Sequence, residues 1–198
     1  MAMAHMTKAW RSVIALAAAA AATLGTTSAA QAAENAEEFS FTPEKYTAVQ
    51  FGTSKAEVEE FLGVGLTKPG SREGWCEGGV SLLCFTESND YAPYGGFAFN
   101  ANGELIDKRQ EFLFKPKTPS TTLNQYNAVS IGMTANQLWS TVSPDSCVVS
   151  QERYTDWPAT TNHRLTYYCT ATTGLFPPNA RFYVVDGKVT EKYQRSLT

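Results

Sequence analysis

Two segments of the sequence decide the fold: YTAVQFGTS at 46–54 and YNAVSIGMT at 126–134. They lie 80 residues apart and agree at the tyrosine, the Ala-Val pair and the glycine. A second set of matches follows at an offset of 84, pairing Phe99, Gly103, Leu105, Lys108, Gln110 and Leu113 with Tyr183, Gly187, Val189, Lys192, Gln194 and Leu197. Repetition of this kind indicates tandem copies of one supersecondary unit. The sequence therefore predicts two copies, the second with a few extra residues.

Each copy opens with the signals of two short helices. Thr42-Pro43 places a proline at the first helical position, where its missing N–H costs nothing. Ser54–Glu57 and Thr134–Gln137 both have the capping-box spacing of a hydroxyl followed three residues later by Glu or Gln. Gly63 and Ser143-Pro144 then end the second helix of each copy. The expected start of each unit is a helix-loop-helix.

Strand patterns follow each pair of helices. Phe97 and Phe99 alternate with small residues, which is typical of a half-buried strand, and we expect both to face the core. Asn102-Gly103 and Asp186-Gly187 are strong hairpin turns. Three or four antiparallel strands per unit would make the fold α+β, with two small sheets side by side. Helices would cover one face of the joined sheet and leave the other open.

The four cysteines predict disulfides rather than a metal site. The spacings between Cys76 and Cys84 and between Cys147 and Cys169 do not supply the C-x-x-C pairs of a zinc site. Four cysteines permit three pairings. Because each copy holds one pair, the natural connectivity is Cys76 with Cys84 and Cys147 with Cys169.

The N-terminus has the pattern of a secretory signal peptide at 1–32, with residues 1–5 as an extension. Lys8 and Arg11 precede an apolar run that ends in Ala30-Gln31-Ala32. We therefore expect a secreted chain without a membrane anchor. Loss of the two basic residues changes the formal charge from −3 to −5, which argues against a nucleic-acid partner. The expected domains are repeat 1 at 33–114, a linker at 115–120 and repeat 2 at 121–198.

The repeat motif, the cysteines and the loop at 90–99 together resemble the β-lactamase inhibitory protein family of secreted actinobacterial proteins. The resemblance implies a tandem of helix-loop-helix units, each with a four-stranded antiparallel sheet, forming a concave sheet face that clamps a class A β-lactamase. It also implies that Asp90 and Tyr91 match the Asp-Tyr pair that enters the active site, and that Tyr94 matches a further contact tyrosine. On residue chemistry alone, Asp90 is equally a turn residue that caps its own backbone.

The sequence departs from the family pattern at several implied contact positions. Glu111 is kept, but Phe112 stands where the inhibitor has a lysine that faces an acidic rim of the enzyme. Tyr183 and Tyr193 occupy positions of an inhibitor tryptophan and arginine, and Phe176 only roughly matches an inserted phenylalanine. The predicted partner-binding residues are Asp90, Tyr91, Tyr94, Glu111, Phe112, Phe176, Tyr183 and Tyr193. The aromatic members could equally be core residues, although an open sheet face requires some aromatics to be exposed.

A protein-binding module is the first interpretation, and no cofactor or metal is expected. The partner implied is a class A β-lactamase or a penicillin-binding protein, with weak or no inhibition of common class A enzymes because of the departures. A cell-envelope scaffold or signalling module unrelated to β-lactams is the alternative, and a small hydrolase is a poorer third. Catalysis is disfavoured because His163 is the one histidine after residue 32 and no G-x-S-x-G, H-E-x-x-H or P-loop spacing occurs.

Overall fold

The structure, a computed structural model, describes residues 40–64, 74–87, 89 and 91–198. The expected signal peptide at 1–32 and the candidate Asp90 lie outside the described residues. A pair of helices followed by four strands occurs twice in the chain. The N-terminal half contains α1 (Pro43–Ala48), α2 (Lys55–Leu62), β1 (Trp75–Glu77), β2 (Ser81–Phe85), β3 (Tyr94–Phe99) and β4 (Leu105–Glu111). The C-terminal half contains α3 (Leu123–Ala128), α4 (Ala135–Thr141), a 3₁₀ turn (Pro144–Ser146), β5 (Cys147–Tyr154), β6 (His163–Thr170), β7 (Asn179–Val185) and β8 (Lys188–Arg195).

The predicted helix signals are confirmed. Ser54 and Thr134 are the N-caps of α2 and α4, and each forms both bonds of a capping box. Gly63 closes α2 with a left-handed φ of 71°, a conformation that glycine adopts without steric cost. A third capping box, at Thr122 and Gln125, starts α3. These caps satisfy backbone N–H groups that helices of six to eight residues would otherwise leave without partners.

The eight strands form one antiparallel sheet in the order β1 to β8, so the fold is α+β with an open sheet. Neighbouring strands are joined by hairpins or, between β4 and β5, through the α3–α4 segment. Asp186 and Gly187 both have positive φ in the β7–β8 turn, which fits the predicted hairpin. The chain from 115 to 120 forms neither helix nor strand, and Ser120 and Thr121 donate their backbone N–H groups to the Thr170 carbonyl.

Each half packs its own apolar cluster between the helices and one face of the sheet. In the N-terminal half, Val58 and Leu62 of α2 belong to the cluster that contains Leu82, Phe97 and Leu105. In the C-terminal half, the buried members include Leu138 and Val142 beside Phe182, Val184 and Val189. Phe97 is buried and Phe99 packs against the same cluster, so the prediction that both face the core is confirmed.

The repeat alignment requires one correction in the third strand of each half. The sequence offset of 84 pairs Phe99 with Tyr183, yet Phe99 packs on the core and Tyr183 faces away from it, since its strand neighbours Phe182 and Val184 are buried. The residue opposite Lys108 is Phe97, and the residue opposite Lys192 is Phe182. A one-residue shift moves every side chain to the other face of a sheet. Five residues separate the paired Phe99 and Leu105, whereas four separate the paired Val184 and Val189, and this difference of one residue between the two turns produces the shift.

In each half, a lysine on the last strand donates a hydrogen bond to the end of the first helix. Lys108 donates its Nζ to the Val49 carbonyl at 2.7 Å and lies 4.7 Å from the ring centre of Tyr46. Lys192 donates to the Val129 carbonyl at 2.6 Å and lies 4.5 Å from the ring centre of Tyr126. Burial lowers the pKa of Lys108, and the nearby Glu152 partly offsets this. Each ammonium therefore satisfies a carbonyl at a helix C-terminus, where the helix dipole favours a cation.

Both expected disulfides are present and each joins directly opposed residues of two adjacent strands. Cys76 pairs with Cys84 across β1 and β2, and Cys147 pairs with Cys169 across β5 and β6. All four sulfurs lie on the helix-covered side of the sheet, within or against the two clusters. Every cysteine in the sequence is accounted for by these two bonds.

Replacing Cys76 and Cys84 together with alanine should lower the free energy of unfolding by about 2.5 kcal/mol, because the bond closes a loop whose ends lie 8 residues apart. Urea unfolding of the double variant and the parent protein would measure this difference. Peptide mapping without reduction provides the control, and a fragment that links Cys76 to Cys147 would contradict the one-bond-per-half arrangement.

Candidate functional site

The candidate site is the sheet face that the helices leave uncovered, here called the open face. Side chains alternate along each strand, so the neighbours of the buried residues on β2, β3, β6 and β7 all point to this second face. Strand register then fixes which of them lie side by side. The open face is therefore a product of the alternation pattern rather than of any single motif.

Two sets of directly opposed side chains lie across the open face, one on β1 to β4 and the other on β6 to β8. Trp75 is opposite Phe85, Phe85 is opposite Tyr94, and Tyr94 is opposite Glu111. In the C-terminal half, Tyr168 is opposite Arg181 and Arg181 is opposite Tyr193. These seven residues are named the aromatic row. Its members combine large rings with one arginine, the residue types that carry most binding energy at protein interfaces.

Stacking and a hydrogen bond order the N-terminal part of the aromatic row. Trp75 stacks on Phe85 with ring centres 4.7 Å apart and planes 18° apart, and Phe85 lies 5.6 Å from Tyr94. The Tyr94 hydroxyl donates to a Glu111 carboxylate oxygen at 3.0 Å. Burial raises the pKa of Tyr94, and the Glu111 acceptor raises it further. The phenol therefore remains a neutral donor that holds Glu111 in place.

Cations order the C-terminal part of the aromatic row. The Arg181 guanidinium lies 5.7 Å from the ring centre of Tyr168, a cation–π distance. Burial raises the pKa of Tyr168, while Arg181 and Arg195 act against that shift. The charges of Arg109 and Arg181 act against the raised pKa of Tyr94 but do not cancel it.

Two exposed loop aromatics meet at the edge of the sheet next to the aromatic row. Tyr91, in the loop after β2, and Phe176, in the loop after β6, have ring centres 6.3 Å apart in an edge-on arrangement. Their side chains are 65% and 66% exposed, so the pair is not a core contact. The Asn89 side chain accepts the Tyr91 backbone N–H at 2.9 Å and shapes the turn. The rings form an apolar tip contributed by both halves.

The structure brings most of the sequence-predicted partner residues to this face, in three groups. Tyr94 and Glu111 are hydrogen-bonded, Tyr91 and Phe176 are in ring contact, and Tyr193 ends the aromatic row with 54% exposure. Tyr183 lies in a separate row, opposite Thr166 on one side and Glu191 on the other.

Phe112 and Phe114 both lie beyond the end of β4 and differ in their surroundings. The strand β4 ends at Glu111, and Phe112 turns the chain with a left-handed φ of 58°. The Phe114 ring lies 5.7 Å from that of Tyr46 and packs on the N-terminal cluster. Phe112 is half-buried and directly follows Glu111 of the aromatic row in the chain.

Sequence reasoning missed four members of the row: Trp75, Phe85, Tyr168 and Arg181. Three of them are direct neighbours of cysteines, and the cysteines face the core. A residue next to a core-facing residue in a strand must point to the opposite face. The positions of Trp75, Phe85 and Tyr168 were therefore readable from the disulfide pattern. Trp157, by contrast, packs against Phe51 and Tyr154.

The described residues contain neither a metal-binding group nor a helix suited to a membrane. No three His, Cys, Asp or Glu side chains of residues 40–64, 74–87, 89 and 91–198 converge to hold an ion. No helix in the same residues is long and apolar enough to cross a bilayer. The features of the open face are rings, guanidinium groups and two loop tips. These features define a protein-binding module.

The particular family follows from comparison with known proteins. The model of the β-lactamase inhibitor (BLIP) family matches residues 42–169, and the chain belongs to this family. The family consists of inhibitor proteins rather than enzymes, so the prediction that this chain is not an enzyme is confirmed. A solved structure of a candidate β-lactamase inhibitor protein from Streptococcus mutans is similar with 13% sequence identity and a TM-score of 0.40. That match covers 81% of this chain and 92% of the other.

Proposed function

We propose that this chain is a secreted binding protein whose open face and loop tip engage another folded protein. The observation that carries the proposal is the aromatic row on the open face, together with the exposed Tyr91–Phe176 pair contributed by loops of both halves. Exposed aromatics of this kind are costly for a monomer in water and favourable in an interface. Two disulfides and the signal-like N-terminus support secretion.

The binding architecture that we propose is a tandem repeat with a concave face. Repeat 1 would span 33–114 and repeat 2 would span 121–198, joined by the linker at 115–120. The twofold occurrence of the capping boxes, the lysine–tyrosine pairs and the cross-strand disulfides supports copies of one unit. Side-by-side units with helices on one side would present their free faces together to a single partner.

The partner that we propose is a class A β-lactamase or a related penicillin-binding protein. Family membership supports this class. Asp90 and Tyr91 would enter a carboxylate-recognising active site, because charge-assisted bonds to an Asp there would be among the stronger contacts. Glu111, Phe112, Tyr183 and Tyr193 would contribute to the surrounding contact area.

The unaltered chain should inhibit common class A β-lactamases weakly or not at all. A family lysine that faces acidic groups of the enzyme is replaced by Phe112, which leaves a carboxylate of the enzyme desolvated without a partner. When such a pair is buried, the penalty reaches about 3–5 kcal/mol. Nitrocefin hydrolysis by a class A enzyme in the presence of the protein would measure inhibition, and nanomolar inhibition would contradict this expectation.

Phe112→Lys should strengthen inhibition by about tenfold, or 1.4 kcal/mol, because it restores the cation. Full restoration is not expected, since Tyr183 and Tyr193 also differ from the family pattern. Ser196→Lys is the matched control, because Ser196 has the same φ of 58° after the last strand of the other half. Equal gains in both variants would indicate a general charge effect. No gain in a folded Phe112→Lys protein would place the poor fit elsewhere.

A further inference from the structure

The C-terminal half of the open face carries an excess of positive charge that the composition of the chain hides. Its strand cations on this face are Arg153, Arg164, Arg181, Lys188 and Arg195, and its strand carboxylate is Glu191. The whole chain, by contrast, has a formal charge of −3. All six side chains are exposed. Positive charge is therefore concentrated on this part of the open face.

Two of these cations stand directly opposite each other at a cost to the fold. Arg153 on β5 and Arg164 on β6 are register partners. Like charges directly opposed across an antiparallel pair destabilise a sheet. Arg153 forms one long ion pair, with 3.9 Å between its Nε and an Asp107 carboxylate oxygen. The same carboxylate also accepts hydrogen bonds from the Gln151 side-chain amide at 2.8 and 3.0 Å. Arg164 has no carboxylate within ion-pair distance among the described residues.

A depression of about 210 Å³ lies beside this pair on the open face. Arg153 and Arg164 line it together with Gln151, Thr166 and Tyr183. Glu191 is on the far wall, two strands away from Arg164, and forms no ion pair with it. The polar and aromatic groups of the lining are thus two guanidinium groups, one amide, two threonine hydroxyls, the Tyr183 phenol ring and the Glu191 carboxylate on the far wall. Guanidinium groups bind carboxylates with two parallel hydrogen bonds, which a lysine cannot do.

We propose that this depression, here called the arginine pocket, receives an acidic side chain that projects from the surface of the partner protein. The inference rests on the proposed protein-binding role of the open face and adds the chemistry of the partner. The occupant is an Asp or Glu of a folded protein, because the pocket is too small for more than a side chain and combines charge with an apolar ring. A carboxylate between the arginines would also relieve their mutual repulsion.

The first test measures carboxylate binding by the protein alone. Sodium acetate is titrated at constant ionic strength against sodium chloride while the arginine Nε–Hε signals are followed by NMR. The signals of Arg153 and Arg164 should shift and saturate in acetate but not in chloride. Arg164→Gln should abolish the saturable shift, whereas Lys188→Gln, which removes a cation outside the pocket lining, should retain it. Equal, non-saturating shifts at all arginines of the face would overturn the pocket.

The second test uses a class A β-lactamase and the Phe112→Lys protein as the binding background. Arg164→Gln should weaken that affinity about tenfold or more, and Lys188→Gln should change it less than threefold. The unfolding midpoint of Arg164→Gln should stay the same or rise, because a like-charge contact is removed. A fall in the midpoint would indicate a structural role and contradict the inference.

The two tests separate failure of the pocket from failure of the proposed function. If no β-lactamase binds but acetate saturates the arginine signals, the arginine pocket stands and the proposed partner is wrong. If a β-lactamase binds Arg164→Gln as tightly as the parent, the open face functions without the pocket and the inference is wrong. Equal weakening by Arg164→Gln and Lys188→Gln would reveal a diffuse cationic surface, which also contradicts a pocket.

Discussion

Phe97→Ala should lower the free energy of unfolding by about 3–5 kcal/mol. The Phe97 ring is 1% exposed and lies 5.6 Å from the Tyr46 ring and 6.3 Å from the Phe41 ring. It fills the space between α1 and β3, so its removal leaves a cavity that neighbours on two elements must close. The loss would be a large part of the stability of a domain of ordinary size.

Phe182→Ala is the matched change in the other half and should cost a similar amount. Phe182 is fully buried, 6.1 Å from the Tyr126 ring, and it faces Lys192 as Phe97 faces Lys108. Together the two variants test whether the two halves unfold as one cooperative unit. We expect a single transition in both, because the sheet is continuous from β1 to β8.

Urea unfolding followed by both tryptophan fluorescence and far-UV circular dichroism would decide the question. Coincident curves are expected in Phe97→Ala and in Phe182→Ala. Phe61→Ala serves as the control, since Phe61 is 50% exposed and its removal should cost far less. Two separated transitions in either variant would mean that the halves are independently stable units joined by a weak contact.

The helices and hairpins were predictable because their signals are local. A hydroxyl three residues before a Glu or Gln, a glycine with positive φ and an Asp-Gly turn each act within four residues of sequence. Ser54, Thr134, Gly63 and Asp186 all have these roles in the structure. The disulfide pairing was predictable for a related reason, since one pair per copy leaves a single symmetrical choice.

The packing between the two halves was not predictable from the sequence, because it depends on contacts between segments that are far apart in the chain. Three register pairs connect β4 with β5, at Asp107, Lys108 and Arg109, against six to seven pairs between most other strands. Phe51 packs on Tyr154 with ring centres 4.8 Å apart. Trp157 covers Gly52 so closely that a Cβ there would lie 2.6 Å from the indole. No sequence pattern pairs a turn near residue 52 with a loop near residue 157.

The face of the sheet on which each exposed side chain lies was predictable only in part. Periodicity indicates which residues alternate, but it does not give the length of a turn, and one extra residue between Phe99 and Leu105 led the repeat alignment to pair the core-facing Phe99 with Tyr183 of the open face. The charge of the open face was hidden for the same reason. Arg153 and Arg164 are 11 positions apart in the sequence and become neighbours only through the β5–β6 register.

Lys192→Met should lower the free energy of unfolding by about 3 kcal/mol, because several carbonyls lose a charged donor at once. The Lys192 ammonium donates to the carbonyls of Tyr126 and Val129 at 2.9 and 2.6 Å and lies 3.5 Å from that of Asn127. Methionine retains the length and the apolar stem of the side chain. The change therefore isolates the ammonium from the packing of the alkyl chain.

Lys108→Met tests the equivalent lysine in the N-terminal half and should cost less, about 2 kcal/mol, because among the described residues its ammonium donates to one carbonyl, that of Val49. Lys188→Met is the matched control for both, since Lys188 is exposed on the open face at the start of β8, and its removal should change stability by less than about 0.5 kcal/mol. Thermal and urea unfolding would rank the three variants.

If Lys192→Met were as stable as Lys188→Met, water would be satisfying the carbonyls at the end of α3, and the lysine would not be what holds that helix to the sheet. If the cost ranks as expected, the same residue pair, a lysine over a tyrosine at matching positions in both halves, fixes the helices that leave the opposite face of the sheet open for a partner.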